Sequence, residues 1–283
     1  MRRRAPESGR STNAASRDRR SSTRGRRRCG MLTTGVLLAL ATAGIALWWR
    51  WLARRQHYWR TALAESIPVN SAYWRAQRAG SGELLYVAIG DSAAQGIGAS
   101  RPGHSYVGFV ARALATASTR PIRTVNLGIS GATLRIALDD ELPVLSRLSP
   151  DVLTVCIGAN DIADFDPTRF DHEIRELFAA LPDHAIVADL PSFYFPPAQG
   201  RVRTANRLLR AAAAERGLTV VPLFARTNRQ GMWGVSTQFA GDLFHPNDRG
   251  YRIWADVFRP AVEARVAALD AAAAAVAAPP PVE

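Results

Sequence analysis

The sequence predicts an α/β domain built on a parallel sheet of about five strands with helices on both faces, preceded by one transmembrane helix. Three observations predict it. Short apolar runs alternate five times with stretches of helical character between residues 84 and 268. Polar residues collect where those runs end, at Gly90-Asp91-Ser92, Gly131 and Asn160, and again before the last helix at Asp242 and His245. Upstream, residues 30–49 carry no charge, and a helix of about twenty residues spans about 30 Å, the thickness of a bilayer core.

Charge narrows the function classes. The chain has 283 residues, 47% of them apolar, and a net charge of +12. Residues 1–28 hold +9 and residues 29–78 hold +5, which leaves residues 79–283 at −2. A nearly neutral domain does not indicate a basic nucleic-acid groove, so no nucleic acid is expected as partner. All basic residues are Arg. Cys29 flanks the apolar span and Cys156 lies inside an apolar run. No disulfide is expected from them, and nothing supports a metal site.

Residues 1–29 are Arg, Ser and Gly without apolar periodicity and read as a disordered cytoplasmic tail. Residues 30–49 read as an uncleaved signal anchor. Ala41-Thr42-Ala43 has the pattern of a cleavage site, which would give a secreted protein, but the apolar run continues past it into Trp48, Trp49 and Trp51, an interfacial aromatic belt. The Arg-rich side then stays cytoplasmic, and the rest of a single-pass cell-membrane protein lies outside. Residues 50–82 form a juxtamembrane linker. There Arg50, Arg54, Arg55 and Arg60 alternate with Trp51, Tyr58 and Trp59, which suits a helix at the headgroup surface and equally one packed on the domain. Ala79-Gly80-Ser81-Gly82 closes this stretch.

The domain itself runs from 83 to 268. Strands are expected at 84–89, 121–127, 152–157, 185–190 and 218–222, and helices at 105–117, 132–147, 167–181, 201–216 and 247–268. The right-handed crossover rule puts every strand-end turn on one edge of the sheet, where ligands bind in this architecture. Residues 269–283, rich in Ala and Pro, read as a frayed helix end and a disordered tail.

A serine on that edge is a poor nucleophile at neutral pH and needs a base within hydrogen-bond reach and donors for the oxyanion. His245 is the best base for Ser92, and Asp242, three residues earlier, can fix its tautomer. His104 is the runner-up. His57, His172 and His184 fall on the linker, inside a helix and on the opposite edge. Gly131 offers a backbone N–H and Asn160 a side-chain amide as oxyanion donors, with helix or turn capping as the alternative for each. Asp91 and Asp161 read as turn or cap acceptors. In Pro191-Ser192-Phe193-Tyr194-Phe195-Pro196-Pro197, Phe193 and Phe195 are candidate substrate contacts or packing residues, and Trp233 is a weaker candidate.

Gly90-Asp91-Ser92, Gly131 in Ile129-Ser130-Gly131-Ala132-Thr133, Gly158-Ala159-Asn160-Asp161 and Asp242-Leu243-Phe244-His245 resemble, in order and spacing, the four signature blocks of the SGNH hydrolases, the GDSL-like esterase and lipase superfamily. The resemblance covers residues 83–268. It implies a flavodoxin-like three-layer α/β/α sandwich. It also implies a nucleophilic Ser92, a base His245 oriented by Asp242, and an oxyanion hole from the Ser92 amide, Gly131 and Asn160. Ala93 stands where the GDSL name has Leu, at the pocket wall. The Gly-x-Ser-x-Gly elbow of α/β-hydrolases is absent. The expected function is hydrolysis of small-molecule or lipid esters through an acyl-enzyme, without metal or organic cofactor. Transfer or removal of acyl groups on cell-envelope polysaccharide is the alternative enzyme class, and a catalytically inactive, membrane-tethered binding domain the non-enzymatic one.

Overall fold

A computed structural model describes the backbone of residues 15–277 and the side chains of residues 37–275. The chain divides into two compact units after Arg55. The first contains most of α1 (Ala15–Ala64). The Arg-rich stretch expected to be disordered is helical from Ala15 onward, and Arg is a good helix former; residues 1–14 lie outside the described residues. Among the described residues no helix is long and apolar enough to cross a membrane. The expected span 30–49 begins before the first described side chain.

The second unit holds everything from Gln56. After α2 (Ile67–Arg78) come β1 (Leu84–Gly90), α3 (Ser92–Gln95), α4 (Tyr106–Ala117) and β2 (Ile122–Asn126). The expected helix 132–147 is α5 (Leu134–Ile136), a π turn (Ala137–Glu141) and α6 (Leu142–Leu145). The rest alternates: β3 (Val152–Cys156), α7 (Pro167–Ala179), β4 (Ile186–Ala188), α8 (Ala198–Glu215) and β5 (Thr219–Val221). The short α9 (Leu223–Asn228) and α10 (Gly231–Thr237), neither of them expected, precede α11 (Asp248–Ala277). Helix α11 continues nine residues past the expected end at 268, so the start of the expected tail is helical, and 278–283 lie outside the described residues.

The five strands are all parallel in the order β2-β1-β3-β4-β5. This is a flavodoxin-like order, and chain direction across the sheet reverses between β1 and β3, where such folds bind ligands. Period-two alternation in β1 sends Val87 and Ile89 to one core with Phe170, Ile174 and Leu177 of α7 and Val202 and Leu209 of α8. Tyr86 and Ala88 go to the other, with Val110 and Leu114 of α4, Phe258 and Val262 of α11, and Trp74 of α2. Helix α2, within the expected linker, is thereby part of the core. Its Asn70 Nδ2 and Trp74 Nε1 both donate to the carbonyl of Gln95, at 2.9 and 3.0 Å.

Candidate active site

Ser92 opens α3 directly after β1. Asp91 caps that short helix, its carboxylate accepting from the Ala93 N–H at 2.9 Å. Burial pushes Asp91 up to about 6, against that hydrogen bond and the attraction of His245. Behind it the Gly90 N–H donates to Glu141 Oε2 at 3.0 Å. The π turn adds one residue to the helical path and aims Glu141 at this strand end. Glu141 is buried, and burial holds its carboxyl well above the usual range.

The segment that ends in α11 brings the other two polar groups over the serine. His245 Nε2 lies 3.0 Å from Ser92 Oγ, and His245 Nδ1 lies 2.6 Å from Asp242 Oδ2. The turn between them is tight. Leu243 is in the left-handed region at φ 56°, and Asp242 Oδ1 accepts from the Phe244 and His245 N–H groups, both at 3.1 Å. Burial of Asp242 works to raise its pKa, but the hydrogen bond from His245, its charge and the two backbone donors outweigh it and leave the carboxyl below its ordinary value. Asn247 pins the segment, donating to the carbonyls of Thr237 and Phe239 and accepting from Arg249 and Gly250 at the start of α11.

Gly131 sits in the loop after β2 at φ +84°, a conformation open to glycine and strained for other residues. Two bonds tie this loop to the one after β3: Asn160 Nδ2 donates to the Ala132 carbonyl at 2.9 Å, and the Leu134 N–H donates to Asp161 Oδ2 at 3.1 Å. One N–H of the Asn160 amide is left for the cleft, and Gly131 and Asn160 line the same cavity as Ser92. Asp161 is a structural acceptor, pushed up to about 6 by burial.

The remaining sequence candidates separate. Both ring nitrogens of His104 are engaged: Nδ1 lies 2.7 Å from Asp248 Oδ2 and 3.0 Å from Ser100 Oγ, and Arg101 Nε donates to Nε2 at 2.7 Å. His184 bonds the Pro150 carbonyl, away from this edge. Phe193 and Phe195 both line an apolar cavity of about 140 Å³ that opens at Ser92. Its walls also include Tyr194, Phe239, Phe244 and Trp254, and Trp233 is not among them. Phe244 lies inside the His245 turn, and its ring meets Phe193 at 6.2 Å between centroids. Sequence reasoning passed over Phe244 although it stands between the two triad candidates. Among the described residues no cluster of His, Cys, Asp or Glu could hold a metal ion.

A hydroxyl, an imidazole and a buried carboxylate in line, beside amide donors and an apolar cavity, can carry out acyl transfer through the hydroxyl. The GDSL-like Lipase/Acylhydrolase family matches residues 88–253. Among solved structures, LAE5, an α/β hydrolase enzyme from the metagenome of Lake Arreo, Spain, is 25% identical with a TM-score of 0.55, covering 65% of this chain and 96% of that one. The lipase/acylhydrolase from Enterococcus faecalis (19% identity, TM-score 0.54, 64% and 96% covered) and the acetylxylan esterase Axe2 from Geobacillus stearothermophilus (23%, 0.50, 65% and 96%) share the fold. No curated protein matches the chain.

Proposed function

Because the chain belongs to the GDSL-like lipase/acylhydrolase family and is a carboxylic ester hydrolase, we propose that it works through an acyl-enzyme on Ser92, with His245 as general base and Asp242 orienting it. The observation that carries this reading is the line of hydrogen bonds from Ser92 Oγ through His245 to Asp242, 3.0 and 2.6 Å long.

Ser92 Oγ bonds to the ester carbonyl carbon as its proton passes to His245 Nε2. The carbonyl oxygen takes the displaced electron pair, and the Ser92 amide, the Gly131 amide and Asn160 Nδ2 stabilise its charge. Collapse of this intermediate breaks the bond to the alcohol, which leaves with the proton from Nε2. Water then attacks the acyl carbon while His245 takes its proton; the acid departs and Ser92 recovers its own. Asp242 stays ionised beside the imidazolium in both halves, as its lowered pKa favours.

The apolar cavity suits the acyl chain, with Phe193 and Phe195 as its contacts. At about 140 Å³ it resembles an apolar cavity of about 150 Å³, which takes a molecule the size of benzene, so acyl groups of about four to six carbons fit best. No step calls for a metal or organic cofactor. Residues 30–49 serve in this reading as a membrane anchor with the hydrolase extracytoplasmic, supported by their lack of charge and the Arg excess before them. A reporter fused after residue 60 that works only in the cytoplasm would refute the orientation.

The direct test is hydrolysis of p-nitrophenyl esters, acetate to palmitate, by the full chain beside Ser92→Ala and His245→Ala. Wild type is expected to exceed both by at least about a thousandfold. A folded wild type no faster than the variants on every ester would overturn the mechanism.

A further inference from the structure

Ser92 stands where two cavities meet, and Asn160, Phe244 and His245 line both of them. The first is the apolar one. The second is walled by Ser130 and Gly131 of the β2 loop and by Arg60, Leu63 and Ile67, which come from the end of α1 and the start of α2. An ester attacked by Ser92 with its hydrocarbon in the first would have the second open to its alcohol part.

The second cavity has a charge of its own. Asp242 and His245 in its wall are bonded to each other. Arg60 is exposed, and among the described residues no hydrogen bond or ion pair engages its guanidinium. A guanidinium presents a planar fork of donors matched to carboxylate and phosphate oxygens. The helix that carries it is held in place. A Cβ built on Gly241 would lie 2.1 Å from the indole of neighbouring Trp59, and downstream Asn70 and Trp74 fasten α2 to Gln95, the last residue of the helix that Ser92 opens.

We propose that Arg60 selects esters whose alcohol part carries a carboxylate or a phosphate, pairing with that anion in the cleft beside Ser92. The proposal rests on the serine esterase reading. It makes the segment before the hydrolase domain part of the substrate site.

The test compares kcat/KM of the full chain for 4-carboxyphenyl butyrate and its uncharged isostere 4-carbamoylphenyl butyrate, and likewise for 1-butyrylglycerol 3-phosphate and 1-butyrylglycerol. Wild type is expected to prefer the anionic member of at least one pair, and which pair shows the larger preference tells carboxylate from phosphate. Arg60→Gln is expected to lower that preference by about tenfold or more, mainly through KM, and Arg60→Lys, which keeps the charge but not the fork, to retain only part of it. Raising NaCl to about 1 M should erode the wild-type preference too, a readout that needs no variant. Hydrolysis of all four esters with no anionic preference, or a preference that survives Arg60→Gln, overturns the assignment of Arg60 alone. Failure of wild type to hydrolyse any of them removes the esterase reading beneath it.

Discussion

The indole of Trp59 packs so closely on Gly241 that a methyl group on that glycine would lie 2.1 Å from a ring carbon. Gly241 immediately precedes Asp242, so the end of α1 abuts the turn that holds the candidate triad. Gly241→Ala must displace one or the other. We expect it to lower kcat by about ten- to a hundredfold, the effect of a small misplacement of reacting groups. Adding Trp59→Ala should restore most of the loss, because it removes the clash; failure of the double variant to recover would show that Gly241 acts through something else.

The oxyanion assignments make a second prediction. Asn160→Ala is expected to cost about 2.7 to 4 kcal/mol of transition-state stabilisation, or about a hundred- to a thousandfold in kcat, with little change in KM. Gly131→Ala has open space for its Cβ but must hold φ +84°. Its cost should appear first as lost stability of about 1 to 2 kcal/mol in a denaturant titration. An Asn160→Ala enzyme at wild-type kcat would leave its amide only the bond to Ala132.

Chain length tests the apolar cavity. Butyrate and hexanoate esters should give the highest kcat/KM and palmitate the lowest. Phe244→Ala enlarges the cavity where Phe193 meets it and should move the optimum towards longer acyl groups. A profile that climbs steadily to palmitate would mean that the acyl chain lies elsewhere.

Asp91 predicts a pH dependence of stability. Its pKa is raised from 3.8 to about 6 in the folded state, so between those values the folded chain binds more protons than the unfolded one. Its contribution to stability is therefore full below about pH 4 and is lost as pH rises through about 6. At roughly 1.4 kcal/mol per unit, the loss is at most about 3 kcal/mol. Asp91→Asn keeps an acceptor for the Ala93 N–H and has no charge to bury. Measured by urea unfolding, the variant should gain on wild type between pH 4 and 7; a constant difference would contradict the raised value.

Much of this was legible because it is local. The all-apolar runs of β1 and β3 announce buried parallel strands, and Asp242 and His245 lie three residues apart on one turn. Other features depend on distant partners. The helix over 132–147 was legible, but not its π turn, since only the packing shows that Glu141 must reach the Gly90 N–H. Helices α9 and α10 are too short for periodicity to declare. Arg60, Leu63 and Ile67 belong to a stretch whose Arg and Trp content suits a membrane surface as well as a protein face, and composition does not distinguish them. For α2 the structure shows the protein face: Trp74 lies in the core and Asn70 bonds the Gln95 carbonyl.

Ser92 is the proposed nucleophile, and it can be labelled directly. A fluorophosphonate transfers its phosphonyl group to an activated serine with loss of fluoride, and the adduct is read by intact mass and peptide mapping of the full chain. One adduct per chain is expected, on the peptide containing Ser92, absent from Ser92→Ala and strongly slowed in His245→Ala. Labelling that persists in Ser92→Ala, or a folded and ester-hydrolysing wild type that takes no label at Ser92, would contradict it.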